Sequence, residues 1–193
     1  MLRGVMYKLL AIGFSAGGIP LASEILAALP KDYPLAVAIV AHLPAGQDSV
    51  LAEMLDRASP LPVAMAIDKT PIQPGHVYVA PPDYHLLVEN RDCFALSIDA
   101  PVLSVRPSID VLLETAAEAF EDSLIALTLS GANSDGARGM ARAHELGAMT
   151  ISLSPLKTDF RTLPDAVIAA VDLDYIADQD EIIALLCSAG ESA

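Results

Sequence analysis

The 193-residue sequence predicts an α/β fold: a doubly wound, mostly parallel open sheet with helices on both faces and a small antiparallel hairpin, Rossmann-like and three-layered. Three observations predict it. Apolar runs of strand length alternate with segments of helical spacing along almost the whole chain, and such alternation returns each strand parallel to the last. The runs at 9–12, 35–41 and 123–129 lack polar alternation, as expected of strands covered on both faces. Several runs stop at polar or glycine-rich residues, and sheets of this kind bind ligands at the carboxyl ends of their strands. No repeat, linker or low-complexity stretch divides the chain, so 1–193 is read as one domain.

The first strand runs to Ile12 and turns sharply through Gly13-Phe14-Ser15-Ala16-Gly17-Gly18. Pro20 is tolerated in the first turn of the helix that follows, because its missing N–H is no loss there. That helix extends to about residue 29 and ends at Pro30. A strand at 35–41 then leads into His42-Leu43-Pro44-Ala45-Gly46, followed by a helix at 49–57 and strands at 62–67 and 75–80. Arms at 85–89 and 94–98, joined by Asn90-Arg91-Asp92, form a hairpin with one wet face. Ser108 reads as the N-cap of a helix to about residue 121, with Asp110 favourable in its first turn. The strand at 123–129 ends in the polar loop from Ser130 to Gly139. A helix at 140–145, a strand at 148–153, a helix at 163–171, a strand at 175–177 and a helix at 181–187 complete the chain.

Composition excludes several classes. Eleven Lys and Arg against 25 Asp and Glu give a net charge of −14, which argues against a nucleic-acid ligand. The mean hydropathy is +0.48, yet Lys8, Glu24 and Asp32 interrupt the most apolar region, so no membrane insertion is expected. Met1-Leu2-Arg3 loosely resembles a signal peptide, but Lys8 and the glycine turn favour a first strand. Cys93 and Cys187 are too few and too far apart for a stapled scaffold, and they read as small buried hydrophobes in a reducing cytoplasm. No His, Cys, Asp or Glu pair has metal-ligand spacing on a shared element, so neither metal nor cofactor is expected.

Ser15 lies where a strand ends and a helix begins, so a nucleophile there would have unpaired backbone N–H groups beside it. The same corner fits a phosphate cradle or a purely structural turn. A serine nucleophile needs a base, and the base needs a carboxylate to hold its tautomer. His42 and Asp135, at two other strand ends, can supply those parts. Each also has a plain reading: His42 as a hydrogen-bonded strand-end histidine, and Asp135 before Gly136 as a turn residue.

Five ordered motifs nevertheless resemble the catalytic domain of the chemotaxis protein-glutamate methylesterases, the CheB type. They are Gly13-x-Ser15-x-Gly17-Gly18, His42-x-Pro44, Pro74-Gly75-His76-x-Tyr78-x-Ala80-Pro81, Arg106-Pro107-Ser108-x-Asp110, and Ser130-Gly131-x-x-x-Asp135-Gly136-x-x-Gly139. The resemblance implies a cofactor-free serine esterase that removes methyl groups from glutamates of methyl-accepting chemotaxis receptors and releases methanol, and that also deamidates glutamines. It implies Ser15 as nucleophile, His42 as general base and acid, and Asp135 as the orienting carboxylate. Ala16, Gly17, Ala132 and Asn133 would face the substrate or its oxyanion. A separate regulatory or methyltransferase partner is also implied. The other readings are a non-catalytic domain of the same fold that binds an anion or a partner segment, and a small-molecule esterase.

The family's usual receiver domain has no counterpart in these residues, which reads as a stand-alone enzyme or a piece of a longer one. The usual threonine after the nucleophile is Ala16. Ala132 stands where a methionine lines the site and Asn133 where a glycine is usual, which predicts a wider, more polar pocket. The segment 155–160 is also atypical, a departure that bears on substrate choice more than on the chemistry.

Overall fold

The computed structural model describes residues 6–42 and 48–191. Met1-Leu2-Arg3 and Pro44 lie outside the described residues. In chain order the elements are β1 (Leu9–Phe14), α1 (Gly18–Ala28), β2 (Ala36–Ala41), α2 (Asp48–Ala58), β3 (Val63–Met65), β4 (Val77–Val79), β5 (His85–Val88), β6 (Phe94–Ser97), α3 (Ile109–Phe120), β7 (Leu124–Thr128), α4 (Ala137–Glu145), β8 (Met149–Leu153), α5 (Thr162–Ala170), β9 (Tyr175–Ala177) and α6 (Gln179–Glu191). Seven strands form one sheet in the order β3-β4-β2-β1-β7-β8-β9, and every pairing in it is parallel. β5 and β6 form the expected antiparallel hairpin, with His85 opposite Ser97.

From β1 the chain passes to β2, skips to the edge strand β3, returns to β4 between them, and then restarts on the other side of β1 at β7. The reversal of strand order therefore lies between β1 and β7, and a crevice opens above the carboxyl ends of strands at such a point. Both faces of the sheet are covered. Leu10, Ile12 and Phe14 of β1 belong to one apolar cluster with Ile25, Leu26 and Ile182, whereas Leu9 and Ala11 face the other with Leu112, Leu113 and Ala116. This two-residue alternation, apolar on both sides, is why the run carries no polar signal in sequence.

Gly13 brings α3 close to β1. A Cβ on this residue would lie 2.2 Å from Cγ2 of Ile109, the first residue of α3, so only a glycine lets that helix end approach the end of β1.

The structure departs from the expected boundaries in two instructive places. Helix α4 starts at Ala137, three residues before the periodicity indicates, because the Gly136 and Gly139 N–H groups donate to Asp110 Oδ1 at 2.9 and 2.8 Å. A carboxylate from another helix thus closes a first turn whose glycines read locally as loop. It also means that Asp110 serves α4 rather than only its own helix dipole. Helix α6 starts two residues early, at Gln179, because Asp178 and Glu181 cap each other reciprocally, the Asp178 N–H donating to Glu181 Oε2 at 2.8 Å and the Glu181 N–H to Asp178 Oδ1 at 3.1 Å.

Candidate active site

Strand register places the expected residues side by side. Phe14 of β1 is paired with Ala41 of β2, so Ser15 and His42 are the next residues at the carboxyl ends of neighbouring strands. The His42 N–H donates to the Phe14 carbonyl at 3.0 Å, and the Ser15 N–H donates to the Ser130 carbonyl, just past β7, at 2.9 Å. The corner after Ser15 is closed by the Gly18 N–H, which donates to the Ser15 carbonyl at 3.1 Å. Gly17 has φ of 76°, the left-handed region that favours glycine, and a side chain there would also meet the Phe160 ring at 2.7 Å. Ser15 is half-buried. Among the described residues the Ala16 and Gly17 N–H groups have no acceptor, so both remain open to an anion beside the positive end of α1.

Across the reversal point, His42 Nε2 lies 2.8 Å from Asp135 Oδ2. The His42 side chain is 9% exposed and that of Asp135 0%. Asp135 lies at the N-terminal end of α3, where its Oδ1 accepts from the Ser108 hydroxyl at 2.7 Å and the Asp110 N–H at 3.2 Å, and its Oδ2 accepts from the Ile109 N–H at 2.6 Å. Burial alone would push the Asp135 carboxyl up, but the hydrogen bonds from His42, Ser108 and Ile109 outweigh it and hold the group below its ordinary value. An ionised carboxylate only accepts, so Nε2 carries the imidazole proton and Nδ1 carries the lone pair. Nδ1 is buried and has no partner among the described residues, so it is not hydrogen-bonded to Ser15. Nucleophile–base contacts of this kind often close only when substrate binds.

The loop before Asp135 is braced from within. Asn133 Oδ1 accepts from the Asp135 N–H at 3.0 Å, and its Nδ2 donates to the Leu103 carbonyl at 3.4 Å. The Asn133 side chain therefore holds the loop rather than standing free toward a substrate, while Ala132 is exposed at the rim. Among the described residues no group of three or more His, Cys, Asp or Glu is placed to hold a metal ion. Nor is any described helix long and apolar enough to cross a membrane.

Two contributors were not visible from sequence in these roles. Ser108 caps α3, accepting from the Val111 N–H at 3.3 Å as expected, and the same hydroxyl also donates to Asp135. Asp110, nearly fully buried, holds the first turn of α4, and its carboxyl is pushed up by burial, against the bonds from Gly139 and Gly136 and with the neighbouring Asp135 charge adding to the rise. The Ser108-x-Asp110 spacing was the available signal: an N-cap and a first-turn carboxylate on one helix end.

The sequence model described as CheB methylesterase matches residues 10–186. A relative from Leptospira interrogans, provisionally named protein-glutamate methylesterase/protein-glutamine glutaminase, is 40% identical over 179 residues, covering 93% of this chain and 93% of its own length. A relative of the same name, without the proviso, from Thermotoga maritima is 33% identical over 172 residues, 88% of this chain and 50% of that protein. The chain thus spans about half the length of that relative and almost all of the Leptospira one. The crystal structure of the Thermotoga maritima CheB methylesterase catalytic domain superimposes with a TM-score of 0.89 at 33% identity, over 95% of this chain and 99% of that one.

Proposed function

This chain belongs to the CheB methylesterase family, and we propose that it is a cytoplasmic Ser-His-Asp esterase acting on glutamate methyl esters of chemotaxis receptors. The observation that carries this reading is the buried Asp135–His42 pair, with an Nδ1 that has no partner among the described residues, at the strand end adjoining Ser15.

In the proposed reaction Nδ1 removes the Ser15 hydroxyl proton as Oγ attacks the ester carbonyl carbon. The oxyanion that forms is received by the N–H groups of Ala16 and Gly17, with Ala132 an exposed residue of the loop before Asp135. Asp135, fixed on Nε2–H, stabilises the imidazolium without taking its proton. The tetrahedral centre collapses, the C–O bond to methoxide breaks, and Nδ1–H protonates the leaving group to methanol. A water deprotonated by Nδ1 then attacks the acyl-serine, and Oγ leaves with the proton. Glutamine fits the same sequence with ammonia in place of methanol, so glutaminase activity belongs to the proposal. A partner that installs the methyl group or regulates the site is expected on the same grounds.

A simple anion cradle at the corner explains less. Binding an anion requires no base, and a buried carboxylate behind the histidine works against one. The test is methanol release from methyl-labelled receptor by wild type and by Ser15→Ala. The proposal requires Ser15→Ala to lose turnover with stability within roughly 1 kcal/mol, as for a half-exposed hydroxyl. A fully active Ser15→Ala protein refutes the serine mechanism.

A further inference from the structure

We propose that His85, the first residue of the β5–β6 hairpin, is a positioning residue for the Asp135–His42 pair and acts through Ser108. The inference rests on the esterase reading above.

His85 is 1% exposed and lies outside the strands that carry the site. Its Nε2 is 3.2 Å from the Ala100 carbonyl, which only accepts, so Nε2 carries the proton. Its Nδ1 is therefore an acceptor, and it takes the Ser108 N–H at 3.2 Å. The Ser108 hydroxyl in turn donates to Asp135 Oδ1 at 2.7 Å, and Asp135 Oδ2 receives His42 Nε2–H at 2.8 Å. One chain of directed bonds thus joins the hairpin to the proposed base.

Each link has a geometric consequence. Ser108 is a fully buried N-cap, and among the described residues His85 is the acceptor of its N–H, so that without His85 this buried donor loses its partner. The bond from His85 fixes the peptide plane on which the Ser108 hydroxyl is carried. That hydroxyl is the close partner of Asp135 Oδ1, the other being the Asp110 N–H at 3.2 Å. A carboxylate released on the Oδ1 side tilts about its Cβ–Cγ bond, and Oδ2 then moves off Nε2. The segment that supplies the Ala100 carbonyl is itself tied down, since Arg106 Nη1 donates to the Ile98 and Asp99 carbonyls at 2.9 and 3.0 Å.

Isosteres separate positioning from packing. Asparagine places Oδ1 where Nδ1 stood and can still accept the Ser108 N–H, whereas leucine fills the volume with no acceptor. We expect His85→Leu to lower kcat at least ~10-fold with KM within about two-fold, the split expected when only the transition-state geometry is lost. His85→Asn should recover most of that loss. Because His85 acts through Ser108, the double variant His85→Leu/Ser108→Ala should lose no more kcat than Ser108→Ala alone. The proton NMR signal of His42 Nε2–H should move in His85→Leu and return in His85→Asn, a readout independent of turnover. Should His85→Leu fail to fold, His85→Gln replaces it, since its amide reaches the Ala100 carbonyl but puts no acceptor at the Nδ1 position. Wild-type kcat in the variant lacking an acceptor, equal losses in that variant and His85→Asn, or additive losses in the double variant overturn the inference. These outcomes stand apart from failure of the esterase reading, which shows as activity in Ser15→Ala.

Discussion

Replacing Asp135 with asparagine keeps the shape of the side chain and removes its charge, and the structure dictates which way the amide must turn. Four donors face the carboxylate, two on each oxygen. On the Oδ2 side stand His42 Nε2–H and the Ile109 N–H at 2.8 and 2.6 Å; on the Oδ1 side stand the Ser108 hydroxyl at 2.7 Å and the Asp110 N–H at 3.2 Å. An amide NH2 opposed to a backbone N–H is unfavourable on either side, but the Asp110 contact is the longer one, and the Ser108 hydroxyl can rotate to accept. The amide oxygen therefore takes the Oδ2 position, and His42 keeps its proton on Nε2. In the template serine triad the same substitution costs ~10⁴ in kcat because it forces the wrong tautomer. Here the loss comes from charge alone.

A unit charge about 4 Å from the imidazolium, at an effective dielectric constant of about 20, is worth about 4 kcal/mol, and it acts only once His42 is protonated in the transition state. That predicts a kcat loss of about 10³-fold with little change in KM. Stability should fall as well, by roughly 2 to 4 kcal/mol, from one opposed buried N–H and from losing an anion at the α3 N-terminus. The assay is single-turnover methanol release held below the variant's Tm, with 15N NMR of His42 to read the tautomer. A kcat within about tenfold of wild type refutes the electrostatic role, being far below the loss one desolvated charge predicts. An Nδ1–H tautomer refutes the argument about amide orientation.

Four further predictions concern the site and its surroundings. Gly13→Ala places a Cβ 2.2 Å from Ile109 Cγ2, forcing apart the β1 end that carries Ser15 and the α3 end that carries Asp135. Overpacking of this kind costs about 1 to 3 kcal/mol, so chemical denaturation should show that loss, with kcat falling more steeply than stability alone explains. Wild type should discriminate weakly between glutamate methyl, ethyl and propyl esters in short peptides, and Ala132→Met at the exposed rim should sharpen the preference for methyl several-fold in kcat/KM, since one methylene is worth ~1 to 3 kcal/mol. The stability difference between wild type and Asp135→Asn should be full above the ordinary aspartate pKa of about 4 and vanish as acid titrates the lowered folded-state group. Asp110 has the opposite sign: its raised group favours the folded state below about pH 4 and loses that contribution as pH rises through its folded value, so Asp110→Asn should gain on wild type over that rise in urea titrations.

Much of this molecule was legible because parallel strands advertise themselves. The apolar runs at 9–12, 35–41 and 123–129 read as two-sided strands, the structure makes them β1, β2 and β7, and their polar sequels meet at one edge of the sheet. Local spacing was blind wherever a distant group satisfied a backbone. The first turn of α4 reads as a glycine loop until Asp110 arrives from α3 to accept its N–H groups. Asn133 reads as a residue facing substrate, yet both ends of its amide are held by Asp135 and Leu103. His85 reads as an ordinary strand residue, because nothing nearby in sequence shows that its Nδ1 meets a helix cap 23 residues on.

The reciprocity of the two buried aspartates explains how a chain with a net charge of −14 keeps one carboxylate ionised at the centre of its proposed site. Asp135 precedes α4 but accepts from the first turn of α3, while Asp110 lies in the first turn of α3 and accepts from the first turn of α4. Each carboxylate thus faces the positive end of the other's helix, where N–H groups without intrahelical partners stabilise an anion. The two are not equivalent. Asp135 receives three donors from the α3 end and His42 besides, and is held below its ordinary value, whereas Asp110 has two backbone donors and the exposed Arg138 guanidinium 3.8 Å away, and is pushed up by burial. In this arrangement a proton arriving at the pair goes to Asp110 before Asp135. Asp135 stays a fixed negative charge behind His42, which is what stabilising an imidazolium without accepting its proton requires.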